Sequence, residues 1–420
     1  MDFIKKNKKI ISIIILALII YIRCDYGVTK DYAIVMNLIA DGIGFIYCLV
    51  LTKMDFEATK KSIFNVAILW LVLFQALQFV YGHFMLFDSN DIYSMQYTIL
   101  TIGPAVLCYE ILWHNREQLI EVLSPVGVIV IIATFITTMK YDYLWEYAFR
   151  GEFYRLGEVP GGSDIDTGNL YLLMLIPIFY SIIVLKRIVP YILPALAGMI
   201  GIVLTGSKSS ALPMVLVIGI MLLSTAKNKR DVKKYIAFMV IFVVVATIAV
   251  LAVPMLYDIL GYRLVEVFTA FSDNSGEYDL HTSTGQRLAV IDAFKKHFWE
   301  KPILGHGFYS FMTMPYSKLE EYYVDGVISY RNIQTHMNIL ELLFGFGFVG
   351  VITYYWYPVK QFIDVIKSKS HMAKVMGLSF LASIFFMNLG LEMFYKYMTP
   401  YYLYLAVYCF LKAPSTDKEN

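Results

Sequence analysis

Of the 420 residues, 58% are hydrophobic and only 16% charged, and the mean hydropathy is +0.61; polar surface is too scarce to clothe a water-soluble globule of this size, so lipid must supply the missing solvent. The formal net charge of +2 comes without a basic stripe interleaved with aromatics, which argues against nucleic acid as a partner. Of the four cysteines, Cys48, Cys108 and Cys409 lie in apolar runs and only Cys24 is placed to face outward, so neither a disulfide framework nor a zinc spacing can be assembled.

Apolar runs long enough to cross the ~30 Å hydrocarbon layer recur along the chain. They fall near 10–22, 32–52, 62–81, 93–111, 119–138, 168–185, 188–205, 211–226, 235–256, 336–356, 375–394 and 399–411. The expectation is an all-α polytopic membrane protein of about twelve transmembrane helices. Lys5, Lys6, Lys8 and Lys9 precede the first run as in a signal peptide, but no small-x-small cleavage site follows, so an uncleaved span is expected. With those lysines inside, the connections carrying Lys53/Lys60/Lys61, Arg116, Lys186/Arg187, Lys227 to Lys234 and Lys360/Lys367/Lys369 also fall inside, and both termini are cytoplasmic.

This divides the chain into helices 1–5 over 1–138, a first long outer loop over 139–167, helices 6–9 over 168–256, a large outer loop over 257–335, and helices 10–12 with a cytoplasmic tail over 336–420. Every inner connection is brief, so any chemistry belongs to the two outer loops. A secondary transporter would place a midplane site between two similar halves. No internal repeat is visible, and acids deep in spans are few: Asp41, Glu110, Glu341 and Glu392.

The first outer loop holds Arg150-Gly151 and Arg155-Leu156-Gly157, then Asp164, Asp166 and Asn169 at the mouth of the next span. Paired guanidiniums among glycines suit an anion, because the fork matches phosphate oxygens and glycine lets backbone amides approach. Leu204-Thr205-Gly206-Ser207-Lys208-Ser209-Ser210 looks superficially like a phosphate loop, but it lacks the first glycine and follows a membrane helix, so nucleotide binding is rejected. In the large loop, Ser283 and Gln286 have capping-box spacing, and Leu288, Val290, Ile291, Phe294 and Phe298 follow at helical intervals. That predicts an amphipathic surface helix with Arg287 in its first turn, an anion site, stopping near Trp299 before Pro302. At the loop's end Thr335 is placed to cap the tenth span and His336 to start it.

From Arg287 through Phe294, Pro302-Ile303-Leu304-Gly305-His306-Gly307 and Phe311 to His336, Asn338, Leu340-Glu341, Gly345, Gly347 and Gly350, the sequence resembles the O-antigen polymerase and O-antigen ligase superfamily of bacterial envelope polysaccharide enzymes. Upstream, Arg155-Leu156-Gly157 and the Thr205 to Ser209 stretch are also similar to that family's motifs. Two positions depart from it: Lys208 stands where the family has arginine, and Met337 separates His336 from Asn338.

The resemblance implies a glycosyltransferase of the bacterial cytoplasmic membrane with no cofactor and no metal. Its donor would be a polyprenyl-diphosphate-linked oligosaccharide, used on the outer face, and its large outer loop would be catalytic. Arg287 and Arg155 would stabilise the leaving diphosphate, and His336 would take the acceptor's proton, with His281, His306 and Glu341 as fallback bases. Lys208, Arg263, Arg150, Gly305, Gly307 and Asn338 would contact substrate. Polymerisation of repeat units is the expected activity, with transfer to a final acceptor as the alternative and flipping of the lipid-linked glycan as a second. A transferase with its acid at Asp25 or Asp31 is disfavoured, because the long loops come late. Membrane lipid, a chain-length regulator and a flippase are the implied partners.

Overall fold

The computed structural model describes residues 2–24, 30–84, 91–139, 164–257, 261, 283–307, 310–313, 318–324, 327–332, 335–391, 394 and 398–414. Among these the architecture is helical apart from one small hairpin. The helices are α1 (Asp2–Cys24), α2 (Lys30–Met54), α3 (Phe56–Ile63), α4 (Val66–Phe84), α5 (Asp91–His114), α6 (Leu119–Met139), α7 (Asp164–Phe179), α8 (Ile192–Thr205), α9 (Lys208–Ser224), α10 (Lys229–Ala252), α11 (Ser283–His297), α12 (Asn338–Lys367), α13 (His371–Asn388) and α14 (Thr399–Lys412). Strands β1 (Lys318–Val324) and β2 (Val327–Asn332) pair antiparallel between α11 and α12, with Val324 opposite Val327.

Among the described residues, five helices are long and apolar enough to cross a membrane: Val35–Met54, Arg116–Thr138, Ile165–Val184, Lys229–Ala252 and Asn338–Lys367. The pair Phe56–Ile63 and Val66–Tyr81, bent by 49°, makes a sixth if taken as one span, and Ile192–Thr205 and Lys208–Ser224 are shorter apolar helices. The bend has a local cause. Asp55 caps α3 by accepting from Ala58 N–H, and Asn65 starts α4 by accepting from Ala67 and Ile68 N–H at 2.9 and 3.2 Å.

The bundle packs through aromatic rings, which explains the chain's 33 tyrosines and 29 phenylalanines. Trp70 of α4 is fully buried among Tyr354 and Tyr357 of α12 and Tyr401 and Tyr404 of α14, and its indole N–H donates to the Tyr354 carbonyl at 2.9 Å. At the other flank α7 sits among α6, α8 and α9, while α10 contacts mainly α9 and leaves Phe238, Ile241 and Val245 exposed. In a chain whose solvent is lipid, such a face is a satisfied one.

The start of the tenth span differs from the expectation. α12 begins at Asn338, with Met337 as its N-cap, and Thr335 Oγ1 bonds locally to Met337 instead of capping the helix. His336 takes a left-handed conformation (φ 52°), which no α-helix continues through.

Candidate functional site

The stretch from Thr205 to Ser210 ends one apolar helix and begins the next. α8 stops at Gly206, whose φ is 62°, and α9 restarts with Ser207 as N-cap and Lys208 as its first residue. Ser207 makes no side-chain cap. Its hydroxyl lies 3.0 Å from Ser209 Oγ and 2.9 Å from Ser210 Oγ, and both of those donate to Asn169 Oδ1, at 3.3 and 2.8 Å. α7 approaches this closely because Gly168 stands at the contact, where a Cβ would come within 2.8 Å of Thr205, Ser207 and Ser210. The mouth of α7 is thus locked onto the turn that carries Lys208.

Arg287 reaches the same turn from α11. The helix starts at Ser283, so Arg287 is its fifth residue, opening the second turn. The helix buries Val290, Ala293 and Phe294, with Phe298 just beyond it, against Phe311 and Phe344, and leaves Lys295 and Lys296 exposed. Of the predicted apolar face Val290, Phe294 and Phe298 are buried while Leu288 and Ile291 are only partly so, and the helix ends at His297 with a 3₁₀ turn through Glu300, ahead of Pro302. A Cβ on Gly390, just past α13, would lie 3.9 Å from Arg287 Nη2 and 3.7 Å from Ser209 Cβ. The guanidinium and the serine turn are therefore both neighbours of Gly390.

Asn338 ties α12 into the same end of the bundle. It is fully buried; its Oδ1 accepts from Phe394 N–H at 2.9 Å and its Nδ2 donates to the Tyr355 hydroxyl at 3.1 Å. The segment it holds continues from Gly390. His336 stands two residues away, partly exposed.

Gly305 and Gly307 take part in a backbone contact with α12. Gly307 N–H donates to the Gly345 carbonyl at 2.9 Å, His306 N–H to Phe344 at 2.8 Å, and Phe348 and Val349 N–H to Pro302 and Ile303 at 2.9 and 3.2 Å. The turn after α11 is clasped, backbone to backbone, into a break in α12 at Gly347. Glycine is required there: φ is 75° at Gly305 and 61° at Gly347, and Cβ atoms would come within 2.4 Å of Gly345 O and 2.3 Å of Ile303 O. The His306 ring stacks on Phe344, 4.3 Å between centroids, with Nε2 3.6 Å from a Glu300 carboxylate oxygen. Burial pushes its imidazole pKa below the ordinary histidine value.

The structure so brings together Arg287, the Lys208 turn, the mouth of α7 and the segment held by Asn338. Glu341 is buried one turn into α12, and Asp41 is half-buried in α2. Glu110 lies near the C-terminal end of α5, 3.0 Å from His114 Nε2 and hydrogen-bonded to Ser62. Arg150, Arg155, Arg263, His281, Asp25 and Glu392 lie outside the described residues, and of Asp31 only the backbone is described. Sequence reasoning missed Gly168 and Gly390, the small residues that let these elements converge. It also missed the clasp, for which the signal was a matched pair of Gly-x-Gly patterns at 305–307 and 345–347.

No curated protein and no solved structure matches the chain. Residues 193–355 match the family model described as O-antigen ligase. The matched stretch contains the Lys208 turn, the Arg287 helix, the clasp and Asn338, and over it the chain is similar to the O-antigen ligase and polymerase superfamily, with apolar helices that suit a multi-pass membrane protein.

Proposed function

We propose that the protein is a metal-independent membrane glycosyltransferase that polymerises polyprenyl-diphosphate-linked oligosaccharide repeat units on the outer face of the bacterial cytoplasmic membrane. In this reading about twelve helices span the membrane, both termini are inside, and the segments 139–167 and 257–335 face outward. The observation that carries it is Arg287 set beside the α9 N-terminus, where Lys208 leads a helix that no side chain caps. Helix-end amides, an ammonium and a forked guanidinium make an environment for a diphosphate.

The chemistry follows from the donor. The acceptor oxygen bonds to the anomeric carbon, the bond from that carbon to the diphosphate oxygen breaks with its electron pair, and the hydroxyl proton passes to His336. Fixed cations stabilise the charge that gathers on the leaving diphosphate, which is where preorganised electrostatics contribute most. Arg155 joins Arg287 from the first outer loop, Arg150 and Arg263 contact outer substrate, and inversion by a single displacement is the expected outcome. Gly305 and Gly307 act on substrate only indirectly, by holding α11, and Asn338 by holding the segment that backs Arg287.

The second reading, transfer of the finished glycan to a final acceptor, is favoured by the description of the matched family as O-antigen ligase. The glycan ladder of a deletion strain separates the two. Loss of every rung beyond one repeat is the expected result. A normal lipid-linked ladder that never reaches its final acceptor identifies the ligase instead, and an unchanged ladder and acceptor would refute both.

A further inference from the structure

A cavity of about 350 Å³ opens at the other end of α12, walled by α12, the start of α4 and the end of α14. Lys360 and Lys367 lie in the last turns of Asn338–Lys367, a helix long and apolar enough to cross a membrane, and Asn338 at its start. The cavity therefore sits at headgroup depth, on the face opposite Asn338. Lys360, Lys367 and Lys412 line it against a single acid, Asp364, which pairs with Lys360.

Its polar floor is Gln361, which is 1% exposed. Gln361 Nε2 donates to the Tyr357 hydroxyl at 2.8 Å and the Tyr404 carbonyl at 2.6 Å. A backbone carbonyl oxygen can only accept, so the amide end facing Tyr404 is the NH2, and the other end is the oxygen. Gln361 Oε1 then has no donor, and a buried acceptor in that state is costly. Tyr357, accepting from Gln361, keeps its own proton to donate. The cavity thus offers cations to an anion, and Gln361 Oε1, enclosed in its floor, is the unpaired acceptor that a hydroxyl reaches once the side chain turns toward the cavity. Its wall continues into the bundle as a row of rings, with Tyr408 and Trp113 both buried. Lys412 lies over Tyr408 at 5.8 Å, Tyr408 stacks on Trp113 at 5.8 Å, and Arg116 covers Trp113 at 5.0 Å.

We propose that this cavity binds the headgroup of an anionic phospholipid bearing a free hydroxyl, its phosphate among Lys360, Lys367 and Lys412 and its hydroxyl on Gln361. The shared chemistry is a hydroxylated phosphoester, and lipid is the assigned source because the site lies at headgroup depth, at the end of a helix long and apolar enough to span. The assignment is independent of the transferase reading.

The test is lipid binding to the purified full-length protein, read by native mass spectrometry. Phosphatidylglycerol should be retained at least about tenfold over phosphatidylcholine, as three lysines near a surface allow. It should also be retained several-fold over phosphatidylethanol, which has the same charge and no headgroup hydroxyl. The combined Lys360→Gln, Lys367→Gln and Lys412→Gln variant should lose the first preference, and Gln361→Met the second. Equal retention of phosphatidylglycerol and phosphatidylcholine, or a preference untouched by the lysine substitutions, overturns the site. Equal retention of phosphatidylglycerol and phosphatidylethanol overturns the role of Gln361. Displacement of bound phosphatidylglycerol by millimolar glycerol 3-phosphate makes the ligand a soluble phosphoester and overturns the lipid assignment.

Discussion

A single buried amide holds the candidate site's backing, because Asn338 supplies the acceptor for Phe394 N–H and a donor to Tyr355. Asn338→Ala leaves that backbone donor unpaired in the interior, a loss of about 1–3 kcal/mol. Thermal unfolding in detergent should show the drop, and turnover should fall with it as the segment behind Gly390 loosens; an unchanged melting temperature removes Asn338 from this role. Gly305→Ala should be harsher, since its Cβ meets a carbonyl oxygen at 2.4 Å in a left-handed backbone. Little folded protein should be recovered from membranes, and normal recovery would mean that the clasp is not formed. The motif around Gly305 was legible in the sequence, but its task was not, because a contact between two backbones leaves no side-chain pattern to read.

α11 is the element on which the site turns, and its hold on α12 includes a titratable group. His306 is buried against Phe344 and its pKa is depressed, so the unfolded chain, near the ordinary ~6.5, takes up a proton first as pH falls. Its stabilising effect is complete above that value and is lost as pH drops through it toward the folded pKa. The melting temperature should therefore decline from pH 7.5 to pH 5, and His306→Gln should flatten the decline; identical slopes would clear His306. α11 itself was readable from its apolar spacing and from Pro302 as its stop. The start of α12 was not, since the left-handed turn at His336 is imposed by its surroundings and not by residue type. The hairpin β1–β2 was missed although Asp325-Gly326 between Val- and Tyr-rich runs is a strong hairpin signal.

At the scale of the molecule, the expected apolar runs fall on described helices, yet only five or six pass as spans by length and apolarity. Among the described residues α8 and α9 are 14 and 17 residues long, and α1 carries its lysines inside the helix. The lysine and arginine distribution decides orientation where length does not. Single cysteines within 139–167 or 257–335 should react with an impermeant reagent in sealed cells, and those at 227–234 should not; labelling at 227–234 would invert the topology. The convergence of the Lys208 turn, the mouth of α7, Gly390 and Arg287 at one end of the bundle gives the whole its purpose. Arg287→Lys keeps the charge and removes the fork, so its turnover of lipid-linked donor, measured beside Arg287→Ala at matched membrane levels, tests the account most directly. Turnover lower by at least ~10²-fold in the lysine variant is the predicted result, and near-normal glycan ladders with Arg287→Lys would contradict it.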